Sequence, residues 1–160
     1  EGQRPMPDSI ITIASVFKSQ GYKTGMVGKW GLGAPNTKSI PNKKGFDFFY
    51  GYNCQRQAHN LYPSHLWRNR ERHILNNTIV NKGKLPDGLD PNDEKSYAIY
   101  NQNDYAPTLM HQEAIQFLDR NRGQKFFLYY ASPLPHLPLQ APKKWVSWMK
   151  RTQCYLISIH

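Results

Sequence analysis

The sequence predicts an α/β protein with a mostly parallel sheet and long loops. Two stretches have the pattern of a helix followed by a strand, over 9–27 and over 105–131, and this repeat is typical of α/β folds. The second strand is a continuous apolar run, as expected for a strand that is buried on both faces. Twelve prolines and eleven glycines among 160 residues indicate long irregular connections.

The first unit begins with a helix predicted over residues 9–20. Asp8 or Ser9 can cap its start, and Gly21 follows where a helix terminator belongs. A short strand is then predicted over 22–27. The apolar side chains of the helix share one stripe, formed by Ile10, Ile13, Ala14 and Phe17.

A glycine-rich segment places Lys29 directly after the first predicted strand. Glycines let a backbone approach a ligand closely, and a lysine ammonium group presents a compact positive charge. Ligands of open α/β sheets bind at the carboxyl ends of the strands. Lys29 is therefore predicted to bind an anion, either a phosphate or a sulfate group. The alternative is a lysine that only caps a surface loop.

The middle of the chain, from 34 to 103, is predicted to be rich in loops. The aromatic segment 45–52 is bracketed by glycines and is expected to pack under the loops that carry the site. Loop regions of this length inside one domain are usually functional or disordered. His59 lies here as a candidate substrate contact, although a histidine in a polar loop can also be merely solvated.

The second unit begins with the clearest helix, over 105–121. Its stripe contains Leu109, Ile115 and Leu118, widened by Ala106, Ala114 and Phe117. The apolar strand 126–131 follows, and a proline-rich turn then carries His136. Loops that leave two strand ends can converge on one pocket, so Lys29 and His136 are predicted to share a site. A structural role for His136 is the alternative.

The charge of the chain is strongly positive, at +10 from 21 basic and 11 acidic residues. This excess attracts anionic partners, and it leaves open a non-catalytic basic module that binds polyanions. The basic residues are scattered and match no nucleic-acid-binding motif, so no nucleic acid is expected as a partner. The two cysteines lack metal-site spacing, and no apolar run is long enough to predict a membrane span.

These motifs together resemble the sulfatase family of the alkaline-phosphatase-like superfamily. The segments 28–33, 45–52 and 53–60 are similar to one arylsulfatase-like branch, and 127–138 matches a strand after which family members carry a histidine. The resemblance covers 1–148. The second sulfatase signature is matched at Gly21, Tyr22, Thr24, Gly28 and Lys29.

The resemblance implies an α/β/α sandwich and roles for two residues. Lys29 would bind a sulfate oxygen and offset the charge that develops as the ester bond breaks. His136 would donate a hydrogen bond or a proton to the leaving alcohol. Many family members place a histidine two residues after the lysine, where this chain has Gly31.

The resemblance also implies two cofactors whose attachment residues are missing from this chain. Sulfatases use a formylglycine nucleophile made within a C/S-x-P-x-R motif, and no such motif occurs here. The family binds Ca²⁺ through an Asp-Asp and an Asp-Asn pair, neither of which is present. No metal ligand is therefore assigned. We interpret 1–148 as a partial sulfatase catalytic domain and 149–160 as an atypical tail, either truncated or out of frame.

The predicted function is that of part of a sulfuric ester hydrolase, whose substrate is an anionic sulfated small molecule or glycan. The isolated chain is expected to be inactive, because the nucleophile and the metal ligands are missing. A phosphatase or phosphodiesterase of the same superfamily is the enzymatic alternative. The resemblance suggests a periplasmic or extracellular location, and the sequence predicts no oligomeric state.

Overall fold

The computed structural model describes residues 4–80, 85–136 and 140–151. These residues form one five-stranded sheet with the strand order β4-β3-β2-β1-β5. The strands are β1 (Lys23–Lys29), β2 (Phe48–Tyr52), β3 (His65–Arg68), β4 (Glu71–Ile74) and β5 (Phe126–Ala131). The α-helices are α1 (Ile13–Ser19), α2 (Ala106–Arg120) and α3 (Lys143–Arg151), and 3₁₀ helices span Pro41–Lys43, Gln55–His59 and Glu94–Tyr100.

The centre of the sheet is parallel. β1 pairs in parallel with β2 on one side and with β5 on the other. β3 and β4 extend the sheet beyond β2 as an antiparallel hairpin. The predicted α/β class is therefore confirmed, but the region predicted as loops contains three of the five strands.

The two faces of the sheet are covered by different helices. α1 and β1 share an apolar cluster that includes Ala14, Met26 and Phe49. α2 covers the opposite face, where Met110 packs in a cluster with Val27. This confirms the three-layer α/β/α arrangement, in which side chains of β1 alternate between the two layers.

Helix α1 starts later than the sequence predicted. Its N-cap is Thr12, whose hydroxyl accepts the backbone N–H of Ser15 at 3.1 Å and donates to the Lys44 carbonyl at 2.6 Å. The long-range bond to Lys44 selects this cap over Asp8 or Ser9. As a result, Ile10 lies outside the helix. The predicted end is confirmed, since Gly21 has a left-handed φ of 78°.

The buried faces of both helices differ from the predicted stripes. Ile13 of α1 is 63% exposed, although Ala14 is fully buried and Phe17 stacks on Phe127 at 4.5 Å. In α2, Ile115 is 44% exposed. The residues of α2 that are buried are Ala106, Pro107, Met110, Glu113, Ala114 and Phe117.

A charged pair fastens the hairpin to α2. The Arg68 guanidinium donates to both carboxylate oxygens of Glu113, one of them at 2.8 Å. The same guanidinium lies 4.9 Å from the centre of the Tyr50 ring. These bonds to Glu113 raise the pKa of Arg68, so the pair stays charged and holds β3 against the helix.

Strand β5 is not buried on both faces, as its apolar sequence predicted. Among the described residues it pairs only with β1, at the edge of the sheet. Phe126, Tyr129 and Tyr130 are between 41% and 50% exposed. The prediction of the strand itself is confirmed, and the prediction of its burial is wrong.

The carboxyl-terminal part of the described chain is helical from residue 143 onward. α3 reaches residue 151, and 152–160 lie outside the described residues. The division into a domain and a tail after residue 148 therefore remains a prediction. Within the ranges that the structure describes, no helix has the length and apolarity needed to cross a membrane.

Candidate active site

The carboxyl ends of the three parallel strands meet at one edge of the sheet. Lys29, the last residue of β1, is in register with Tyr52 at the end of β2. On the other side, Gly28 is in register with Ala131 at the end of β5. The pairing continues past the strands, because the Gly31 N–H donates to the Asn53 carbonyl at 3.1 Å. The loop that follows Lys29 is thereby held against the loop that follows β2.

Two glycines allow this close approach of the strands. A Cβ at Gly28 would lie 1.9 Å from the Ala131 carbonyl oxygen, and a Cβ at Gly51 would lie 1.9 Å from the Gly28 carbonyl oxygen. Both distances are far shorter than any non-bonded contact. Gly28 also has a φ of +121°, a conformation that other residues rarely adopt. The sequence predicted a glycine-dependent backbone here, and these contacts explain why.

His59 and His136 stack on each other above this edge. Their ring centres are 4.1 Å apart and their planes differ by 17°. His59 ends the 3₁₀ helix Gln55–His59, and His136 lies in the loop after β5. The sequence predicted each histidine separately, but nothing in it predicted that the two rings would be in contact.

Hydrogen bonds of the residues that follow the two histidines tie their loops to each other and to the rest of the fold. The Leu61 N–H donates to the side-chain carbonyl of Gln140 at 2.9 Å, and the Tyr105 hydroxyl donates to the Gln140 backbone carbonyl at 2.8 Å. The Tyr52 hydroxyl donates to the Asn60 carbonyl. These bonds flank His59 and His136, so the stack does not depend on ring contact alone.

The two tyrosines of this network remain protonated donors at neutral pH. Burial raises the pKa of Tyr105 to about 12, with a further contribution from Tyr62. Burial likewise raises the pKa of Tyr52 far above its ordinary value. Each hydroxyl therefore keeps the proton that it donates to a loop carbonyl.

Lys29 lies at the same edge as the histidine stack. Its side chain is half-buried. Ala58, which precedes His59, packs in the same apolar cluster as Val27 and Tyr52. This packing holds the 3₁₀ helix against the carboxyl-terminal parts of β1 and β2. The three residues predicted from the sequence thus occupy one end of the sheet, with the two imidazoles in direct contact.

Both the backbone conformation and the packing at position 31 favour glycine. Its φ is +88°, and a Cβ would lie 3.1 Å from both Cβ and Oε1 of Gln55. A side chain here would need both a strained backbone and a shift of Gln55. The sequence predicted the departure from the family at this position. It did not predict that Gln55 lies beside the vacant side-chain position.

The described residues do not supply a metal site. In 4–80, 85–136 and 140–151, no three histidine, cysteine, aspartate or glutamate side chains cluster so that they could hold an ion. The resemblance to sulfatases implies calcium and formylglycine. The residues described here do not fit the requirement of that ion for several oxygen ligands, and the sequence contains no C/S-x-P-x-R motif.

Comparison with known proteins identifies the family. A family model described as Sulfatase matches residues 4–156, and the chain belongs to the sulfatase family. It is 29% identical over 147 residues to an arylsulfatase of Hemicentrotus pulcherrimus, covering 84% of this chain and 23% of that protein. It is 30% identical over 141 residues to arylsulfatase J of Mus musculus, covering 88% of this chain and 21% of the relative. The chain therefore spans about a quarter of the length of these curated relatives.

Solved structures show the same fold. The crystal structure of Ps i-CgsB matches with a TM-score of 0.66 and 22% identity, over 94% of this chain and 32% of that one. BT4656, solved in complex with its substrate D-glucosamine-2-N,6-O-disulfate, matches with a TM-score of 0.59 and 18% identity, over 93% of this chain and 24% of that one. At these identities the likeness concerns the fold.

Proposed function

We propose that this chain supplies the sulfate-binding part of an enzyme that hydrolyses sulfate esters. The observation that carries the proposal is the stacked pair of His59 and His136 at the same sheet edge as Lys29, in a chain of the sulfatase family. Both groups suit the hydrolysis of a sulfate ester. The cation stabilises the negative charge of the sulfate group, and the imidazole can protonate the leaving group.

Lys29 acts on the charge of the sulfate group. As the ester bond breaks, negative charge grows on the sulfate oxygens and on the bridging oxygen. A lysine ammonium group held at a strand end stabilises this charge without having to reorganise. Its loop is fixed by the pairing beyond β1 and by the glycine at 28, which supports the electrostatic role.

His136 acts on the leaving group. The ring N–H of an imidazole can donate a hydrogen bond or a proton to the departing alcohol. His59 covers one face of the His136 ring. The stack restricts the orientation of His136, and His59, an exposed residue beside it, contacts the alcohol portion of the substrate.

The substrate class that we propose is a sulfated saccharide. One solved relative was crystallised with D-glucosamine-2-N,6-O-disulfate as its substrate, and Ps i-CgsB was crystallised with k-i-k-neocarrahexaose. The net charge of +10 favours an acidic ligand of this kind. No reaction step is assigned to calcium or formylglycine, since the residues in this chain do not provide for them.

The proposal is tested on the enzyme encoded by the coding sequence that contains this chain. We expect it to hydrolyse 4-nitrophenyl sulfate in preference to 4-nitrophenyl phosphate, and Lys29→Ala to lower kcat by roughly 10²–10³-fold. His136→Ala should lower kcat most for alcohols that are poor leaving groups, because these need the proton. Preference for the phosphate ester would favour the phosphatase alternative and contradict the proposal.

A further inference from the structure

A cavity of about 210 Å³ opens beside the carboxyl end of β2. Its walls come from the loop after β1, from the 3₁₀ helix Pro41–Lys43 and from the β3–β4 hairpin. Trp67 is one wall and is 9% exposed, and Asn53 lies at the end nearest to Lys29. The volume is large enough for a sulfate or carboxylate group together with part of a sugar ring.

The lining of this cavity is positively charged. Lys43 and Arg70 both line it, and none of the described residues in its lining is an aspartate or a glutamate. A neighbouring cavity of about 470 Å³ differs, because it also contains Asp47 and Glu71. Arg70 lines both cavities, whereas Lys43 lines the smaller one and not the larger.

The two cations are brought together by a built scaffold. The Asn42 side-chain amide donates to the side-chain oxygen of Asn69 at 3.1 Å, and that oxygen also accepts the Phe49 N–H at 2.9 Å. Lys43 and Arg70 directly follow these two asparagines. Both cations line the same cavity, so an anion bound there would interact favourably with two positive charges.

A third cation reinforces the positive field. The Arg72 guanidinium lies 5.4 Å from the centre of the Trp67 ring, opposite it in the hairpin. This contact fixes the indole that forms the wall of the cavity. The ring is thus held from the hairpin side by Arg72 and from the protein interior by its apolar cluster, so that only a small part of it borders the cavity.

The cavity lies close to the candidate active site. Asn53 follows Tyr52, the register partner of Lys29, and paired strands are about 4.8 Å apart. Thr37, on the loop that continues from Lys29, is also part of the lining. A ligand that spans one or two sugar rings could therefore place one anionic group at Lys29 and another in the cavity.

We propose that this cavity binds a second anionic group, sulfate or carboxylate, on the saccharide whose sulfate ester lies at Lys29. This inference rests on the proposed function and deepens it, since it makes the substrate a saccharide with two anionic groups. Lys43 and Arg70 select for the second group, and Lys29 binds the group that is cleaved.

The test measures binding to this chain by NMR, through the indole N–H signal of Trp67, assigned with Trp67→Phe. The probes are glucosamine-2-N,6-O-disulfate and glucosamine 6-O-sulfate. We expect the double variant Lys43→Gln/Arg70→Gln to bind the disulfate roughly fivefold more weakly than the wild type. Its affinity for the monosulfate should not change.

The matched control is Lys23→Gln/Lys125→Gln, which removes two charges at the amino ends of β1 and β5. It should leave both affinities unchanged. Equal losses in the two double variants would show a diffuse charge effect and overturn the proposal, as would no loss in either. Lys29→Gln separates the two claims. If it leaves monosulfate binding intact while the Lys43 and Arg70 variant loses the disulfate preference, the proposed function fails and the cavity remains an anion site.

Discussion

At the scale of single residues, the glycines at the sheet edge determine the backbone geometry of the candidate site. Gly28 and Gly51 let three strands approach so closely that their carboxyl ends form a continuous rim. Gly31 adopts a left-handed backbone beside Gln55, where many family members carry a histidine. The chemistry of Lys29 therefore depends on neighbours that have no side chain at all.

Substitution at two of the glycines separates backbone strain from steric conflict. Gly21 has a φ of +78° with open space around it, whereas a Cβ at Gly28 would overlap the Ala131 carbonyl. We expect Gly21→Ala to lower the free energy of unfolding by about 1–2 kcal/mol. Gly28→Ala should cost several times more or prevent folding, as measured by urea denaturation. Equal losses for the two variants would contradict the close contact between β1 and β5.

At the scale of elements, Asp47 connects one helix and two strands. Its carboxylate accepts the Thr24 backbone N–H at 3.0 Å and the Thr24 hydroxyl at 3.1 Å, and pairs with Lys18 at 2.6 Å. The residue lies directly before β2, so these contacts join α1, β1 and β2. Burial acts to raise the pKa of Asp47, but the bonds from Lys18 and Thr24 outweigh it and the pKa is lowered.

The lowered pKa of Asp47 predicts a loss of stability in acid. A carboxyl with a depressed pKa contributes stability above its unfolded-state pKa of about 3.9. That contribution is lost as the pH falls through the folded-state value. We expect Asp47→Asn to destabilise the protein at pH 7 and to reduce the difference in stability between pH 7 and pH 3. An unchanged pH profile in Asp47→Asn, measured by urea denaturation, would show that the carboxylate has no such role.

The elements predicted from sequence are those with strong local signals. α2 has a long apolar periodicity, β5 is a continuous apolar run, and β1 is marked by the glycine that precedes it. β3 and β4 have four residues each, and charged residues such as Arg68 and Arg72 interrupt their alternation. Long-range contacts define them instead, including the Arg68–Glu113 pair. Local patterns along a single sequence do not show a contact between residues that lie 45 positions apart.

The candidate site was likewise predictable only where its residues follow strands that have clear local signals in the sequence. Lys29 and His136 follow strands with clear local signals, so their shared edge could be inferred from the α/β pattern. The stack of His136 on His59 depends on Gln140 and Tyr105, which bind a different loop. Asn53 and Gln55 also follow a strand, β2, but the aromatic run before them predicts packing under the loops rather than a strand.

At the scale of the whole molecule, the sheet formed by the described residues ends in an exposed apolar edge, β5. β5 has both faces partly open and contains no charged residue or proline. Edges of this kind pair with other strands unless a charge or a covering element prevents it. The described residues therefore predict that this chain associates with itself when it is isolated.

A lysine on the edge should reduce this association. Tyr129 is 50% exposed on β5, and Tyr129→Lys introduces a charge that opposes pairing of strands. We expect this variant to shift the isolated chain toward the monomer in light scattering coupled to size exclusion. Ile79→Lys is the matched control, because Ile79 is 81% exposed outside the sheet. An equal shift in both variants would indicate a general solubility effect.

The central claim, that Lys29 holds a sulfate group beside the His59–His136 stack, is tested most directly by an NMR titration with inorganic sulfate. We expect saturable shifts at Lys29, His59 and His136, and an affinity about tenfold lower in Lys29→Gln, because a charge-assisted hydrogen bond is lost. Lys23→Gln, at the opposite end of β1, should bind as the wild type does. If Lys29→Gln and Lys23→Gln bind sulfate with equal affinity while both remain folded, Lys29 is not the sulfate-binding residue.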